Sequence, residues 1–164
     1  LQDDVIRENF IERVFVMHRW RGIETAGFTP GRLVDFHTRH KLILMSHSPS
    51  GLYELGRIVA SAGGFPDRLR EYRAGLMRIL ALKATPRKHA NVLNHIAGYF
   101  KKFLDPREKA ELASLIDDYR LGLVPLVVPI TLLKHHLLMH GSPYLEGQCY
   151  LNPHPVELML RNHV

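Results

Sequence analysis

Repeatedly in this sequence a side chain able to cap a helix stands directly before a proline, as at Thr29-Pro30, Ser48-Pro49, Thr85-Pro86 and Asp105-Pro106. A hydroxyl or carboxylate at the N-cap accepts hydrogen bonds from the orphan amides of a first turn. Proline at the next position loses nothing there, because its missing N–H had no intrahelical acceptor. In Asp105-Pro106-Arg107-Glu108 the glutamate also completes a capping box. Between these starts the apolar residues recur at helical spacing: Leu69, Tyr72, Leu76, Ile79 and Leu80; Val92, Leu93, Ile96, Phe100 and Phe103; Leu112, Leu115, Ile116 and Tyr119. Strand-like alternation is nearly absent, and no Asn-Gly or Asp-Gly hairpin signal occurs. The pattern predicts an all-α fold, a compact bundle of about seven helices over 4–21, 31–46, 49–62, 66–83, 86–104, 106–121 and 127–140. A proline-rich tail over 142–164 follows, with one helical turn after Pro155. Leu93, Ile96, Phe100, Leu112, Leu115, Ile116 and Leu133 are the expected core. Gly56 and Gly98 interrupt helical patterns at about 1 kcal/mol each relative to alanine, and close helix approach is the expected reason.

The 164 residues make one domain, 1–164, and a single cysteine, Cys149, excludes an internal disulfide or a Cys-only metal site. That usage fits a reducing compartment, here the cytoplasm. The longest uncharged run, Leu121–Leu133, has 13 residues and two prolines, too short to span a bilayer. No apolar signal core opens the chain. It starts at Leu1 rather than Met, which is read as a cut from something longer. Nucleophile-elbow, Walker and dinucleotide-binding motifs are all missing. Eleven histidines raise the question of a metal, but His37/His40 and His136/His140 are only pairs. Zinc takes three or four ligands, and no acid or cysteine completes either pair at a recognisable spacing. His40 also falls on the apolar stripe of Leu33, Phe36 and Leu44, where a satisfied core imidazole is the plainer reading. No metal ligand and no catalytic residue is assigned.

Charge is distributed unevenly. Residues 29–102 carry 13 basic and 4 acidic side chains, whereas 1–28 carry 4 and 5, and 103–164 carry 5 and 7. The whole surplus of a +6 chain therefore sits in one block, which favours a polyanionic partner. Within it, 86–104 contains no acid at all. On a helix, Lys88, Asn91, His95, Gly98 and Lys102 share one face at spacings of 3, 4, 3 and 4, with cations at the ends and amide and imidazole donors between them. Phe36-His37-Thr38-Arg39-His40-Lys41 is a second basic element, in which His37 and Lys41 share a face and Arg39 lies elsewhere beside Asp35. The expected RNA contacts are Lys41, Lys88, Asn91, His95, Lys102 and Arg120, with Arg39, His37, Tyr99 and Lys134 as further candidates. Lysines would meet phosphates, Asn91 and His95 would bond sugar or phosphate, and Tyr99 would stack.

Several runs together resemble the YbgA-like family, domain of unknown function 1722. They are Phe36–Lys41 and Tyr53-Glu54-Leu55-Gly56; Lys88-His89-Ala90-Asn91-Val92-Leu93-Asn94-His95 with Gly98-Tyr99-Phe100-Lys101; Tyr119-Arg120-Leu121-Gly122-Leu123-Val124-Pro125-Leu126 and Val128-Pro129-Ile130-Thr131-Leu132-Leu133; and Tyr144-Leu145 with Tyr150-Leu151-Asn152-Pro153-His154-Pro155. The opening Arg7–Phe15 resembles the joint found where this domain is fused behind an iron–sulfur desulfidase, so 1–28 is read as that joint. The resemblance implies a tRNA-binding module serving an upstream domain in the same chain that removes sulfur from 4-thiouridine. That domain would hold the iron–sulfur cluster, leaving no cofactor in this one. Two other classes stay open: an enzyme acting on a nucleobase or thio-base through a histidine and tyrosine pocket, and a protein-docking module.

Overall fold

The computed structural model describes residues 4–153, which form eight helices: α1 (Asp4–Ala26), α2 (Pro30–His47), α3 (Pro49–Ala60), α4 (Phe65–Leu80), α5 (Pro86–Phe100), α6 (Pro106–Arg120), α7 (Val127–His140) and α8 (Pro143–Glu146). No strand occurs among the described residues. The four cap–proline pairs all start helices. Thr29 accepts from the Arg32 amide at 3.2 Å, Ser48 from Gly51 at 3.0 Å and Thr85 from Lys88 at 3.4 Å. Asp105 caps the amides of Arg107 and Glu108 at 2.7 and 2.9 Å, and the Glu108 carboxylate returns to the Asp105 amide at 2.7 Å. The Thr131 hydroxyl donates back to the Val127 carbonyl at 2.7 Å, the local bond its sequence position predicts.

Short connections make consecutive helices neighbours, giving an α2–α3–α4 group and an α5–α6–α7 group joined where α2 meets α5. Trp20 of α1 lies fully buried against Tyr72 (ring centroids 5.7 Å, parallel) and edge-on to Phe36 (5.3 Å). Leu93, Ile96, Phe100, Leu112, Ile116 and Leu133 are buried as expected. Leu115 is only half-buried. It stands about 60° around the helix from Leu112, at the edge of the stripe.

Three other expectations change. The glycines at close helix approaches are Gly51 and Gly75, not Gly56 and Gly98. A Cβ at Gly51 would fall 2.6 Å from Ile79 Cγ1, and one at Gly75 would fall 2.8 Å from Leu55 Cδ2. At Gly56 it would make an ordinary 3.6 Å contact with His37, and at Gly98 it would meet nothing within 4 Å. Helix α1 runs five residues past the expected end at 21, and α5 stops at Phe100, followed by a turn over 101–103. The segment read as a tail is core over its first half. Leu145, Cys149, Tyr150 and Leu151 are buried, and α8 starts at a fifth cap–proline pair, Ser142-Pro143. The Gln148 side chain donates to the Thr38 carbonyl (2.8 Å) and accepts from the Leu42 amide (3.3 Å), while the Cys149 amide donates to the Arg39 carbonyl (2.9 Å). The turn expected after Pro155 lies outside the described residues.

Candidate nucleic-acid interface

Helix α5 presents the exposed, acid-free edge that its sequence predicts. Asn91, His95, Gly98, Tyr99 and Lys102 all face solvent. The structure adds partners from outside the helix. Tyr99 stacks on Tyr144 of α8 at 5.5 Å and 18°, and the His95 ring stands edge-on to it at 5.7 Å. One turn further, Phe103 stacks on His140 of α7 at 4.8 Å and 10°. Tyr99 and Phe103 remain 42% and 56% exposed, with Lys102 between them in sequence. Two aromatic stacks one turn apart, flanked by Lys101 and Lys102, match the two things a flexible nucleic-acid strand offers: base faces and phosphates. Burial, then the nearby Tyr99, pushes the Tyr144 hydroxyl up to about 12, so it stays a neutral donor.

Lys88 does not serve this edge as a free point charge. Its ammonium donates to the carbonyls of His47 (2.8 Å) and Lys83 (2.9 Å), clamping the end of α2 to the turn that follows α4. The same turn is held from two other sides. His47 Nδ1 donates to the Leu82 carbonyl (2.6 Å), with its Nε2 3.4 Å from Glu12 Oε2, and Asn9 bonds both the amide and the carbonyl of Ala84. Lys88 is therefore first a structural clamp, because three helices converge where its stem emerges.

His37 is likewise removed from the surface. It is 6% exposed, with Nδ1 3.1 Å from the Tyr72 hydroxyl. Burial, with Lys41 beside it, holds its pKa down at about 4, so it is a neutral core imidazole. Its neighbours place Lys41 with the α2–α3–α4 group rather than at the α5 edge. His40 is buried, as the plainer reading expects, and Nδ1–H donates to the Phe36 carbonyl at 2.7 Å. Arg39 is exposed on α2 near Arg19 and Cys149. Arg120 bonds Asp117 at 2.8 Å, which offsets its charge, and Lys134 donates to Asn152 at 2.8 Å. Of the ten expected contacts, the structure thus gathers Asn91, His95, Tyr99 and Lys102. Sequence reasoning missed Tyr144 and the Phe103–His140 stack. The Ser142-Pro143 cap is the local signal that could have placed Tyr144 in an ordered turn.

Among the described residues no three His, Cys, Asp or Glu side chains gather as a metal site, and no helix is long and apolar enough to cross a membrane. Cys149 is buried, and burial raises its thiol pKa. A family model described as "Protein of unknown function (DUF1722)" matches residues 41–155. The "Uncharacterized protein YbgA" of Escherichia coli (strain K12) is 36% identical over 153 residues, covering 92% of this chain and 90% of its own. No solved structure matches significantly.

Proposed function

Because the chain belongs to the DUF1722, YbgA-like family, we propose that it is the RNA-binding accessory domain that the family resemblance implies, holding tRNA for an attached 4-thiouridine desulfidase and performing no catalysis of its own. The observation that carries this reading is the α5 edge, where His95 and Tyr99 of α5 and Lys102 of the turn after it stand exposed in a stretch without one acidic residue, and Tyr99 is braced by Tyr144. Lys101, Lys102 and Arg87 supply phosphate contacts, which set most of the affinity and little of the specificity. Asn91 and His95 bond sugar or phosphate. Tyr99 and Phe103 stack on unpaired bases, and each is held flat by the ring behind it. Iron–sulfur chemistry belongs to the upstream domain.

A salt series of tRNA binding by this chain tests the reading. Lys102→Ala should lower the slope of log K against log salt by about one unit. Tyr99→Ala should weaken binding by roughly tenfold and leave the slope alone. Parent-like affinity and slope in both variants would remove the α5 edge from the interface.

A protein-docking reading has an observation of its own and complements the first. Ile6, Phe10 and Val14 recur along α1 at 44%, 58% and 46% exposure, and Arg13 and Arg21 line the same groove as Phe10 and Val14. That face offers an attached domain an apolar seat, in keeping with residues 1–28 as a joint.

A further inference from the structure

Gly98 has no packing reason to be glycine. It sits in the last turn and a half of α5, where it costs about 1 kcal/mol relative to alanine, yet a Cβ there would meet nothing within 4 Å. What it does border is a cavity of about 380 Å³ between α5 and α6. Leu112 and Ile116, both buried, give the cavity an apolar floor, and exposed Lys101 from the end of α5, Lys109 from α6 and Gly98 complete its upper lining. Neither ammonium is paired with a carboxylate among the described residues. Three acids of α6 are engaged elsewhere: Glu108 and Glu111 act on His136 of α7, and Asp117 holds Arg120. Asn94, also in the lining, donates its amide N–H to the Ala90 carbonyl at 3.0 Å, which leaves its Oδ1 to accept.

We infer that this slot receives a single nucleobase, turned out of a strand lying along the α5 edge, with the adjoining phosphate held between Lys101 and Lys109. The inference rests on the RNA reading and adds a base-binding subsite to it. The volume is at the small end for a ligand pocket and suits one planar group. The floor is apolar, the rim is cationic, and Asn94 Oδ1 offers one acceptor to a ring or exocyclic N–H. Gly98 is part of the slot's lining, and a side chain there would take up room that a base needs. Glycine at 98 therefore keeps the slot wide at the expense of helix propensity.

The test compares a ten-nucleotide oligouridylate with a ribose-phosphate oligomer of the same length and charge lacking bases, each titrated against the parent chain and against Gly98→Leu and Gly98→Ala. Leucine and alanine both favour helix over glycine, so neither variant should unfold α5; circular dichroism checks this. The parent should prefer the oligouridylate by at least about tenfold, the size of one base contact. Gly98→Leu should remove roughly tenfold of that preference with the salt slope unchanged, while Gly98→Ala should remove less. Equal binding of the two oligomers by the parent, or a preference that survives Gly98→Leu, overturns the slot. So does failure of both oligomers to bind at low salt. The tRNA titration in the same buffers reports on the RNA reading separately: tRNA binding that persists in Gly98→Leu alongside an unchanged oligomer preference defeats the slot alone.

Discussion

Acid should loosen this fold well above the pH at which carboxylates protonate. His37 and His40 are both neutral in the folded chain, with pKa values pushed down from 6.5 to about 4, first by burial. The cause is visible at His40. Its Nδ1–H is committed to the Phe36 carbonyl, so an added proton must go to Nε2, which is buried without an acceptor among the described residues. The charges near it, Arg19 and Arg39, are of the same sign, as is Lys41 beside His37. The unfolded chain therefore binds more protons than the native one between pH 6.5 and 4, and stability falls as pH drops through that window. Between pH 7 and pH 5 each imidazole should cost the native state roughly 2 kcal/mol, about 4 kcal/mol together if they titrate independently. Urea unfolding at pH 7, 6 and 5 measures it. His40→Gln should reduce the pH dependence by about half whatever it does to absolute stability. Equal unfolding free energies at pH 7 and pH 5 in the parent would refute the argument.

Lys88→Met should destabilise the chain by about 1–2 kcal/mol through loss of two charge-assisted bonds to carbonyls, while leaving the salt slope for tRNA within error; a slope lower by one unit would return Lys88 to the interface. Gly75→Ala should cost about 1–3 kcal/mol by thermal or urea unfolding, because its Cβ would press on Leu55.

Helix starts were legible in the sequence because capping is a local matter: one side chain and the next three amides decide it. The same rule marks Ser142-Pro143, which starts α8 inside a segment whose proline content reads as a tail. Burial on a long apolar stripe was legible too, except at Leu115, where a residue at the stripe's margin is decided by the neighbouring helix rather than by its own. The candidate site was less legible. On a helical wheel drawn over 86–104 Lys88 and Lys102 share a face, yet one ends on the carbonyls of His47 in α2 and Lys83 in the turn after α4, and the other in solvent. His37 reads as a basic companion of Lys41 until Tyr72, 35 residues away, proves to be its partner. The glycines show the same limit. Gly75 and Gly98 look alike within their helices, and only the opposing surface, Leu55 in one case and an open cavity in the other, distinguishes them.

The bonds from Gln148 and Cys149 to the backbone of α2 span 106 and 110 residues of sequence for the glutamine, and nearly the whole domain lies between the partners. Synthesis proceeds from the N-terminus at about 5–20 residues per second, so α2 leaves the ribosome many seconds before the segment that completes its surroundings. Until residue 148 emerges, the middle of α2 lacks its final partner, and Leu145, Tyr150 and Leu151 are missing from the core. The core of the described residues is thus closed from its C-terminal side. Its helices can form in order during translation, but this core is completed only once the segment through Leu151 is free, and a polypeptide stopped short of α8 is expected to expose apolar interior to chaperones and proteases.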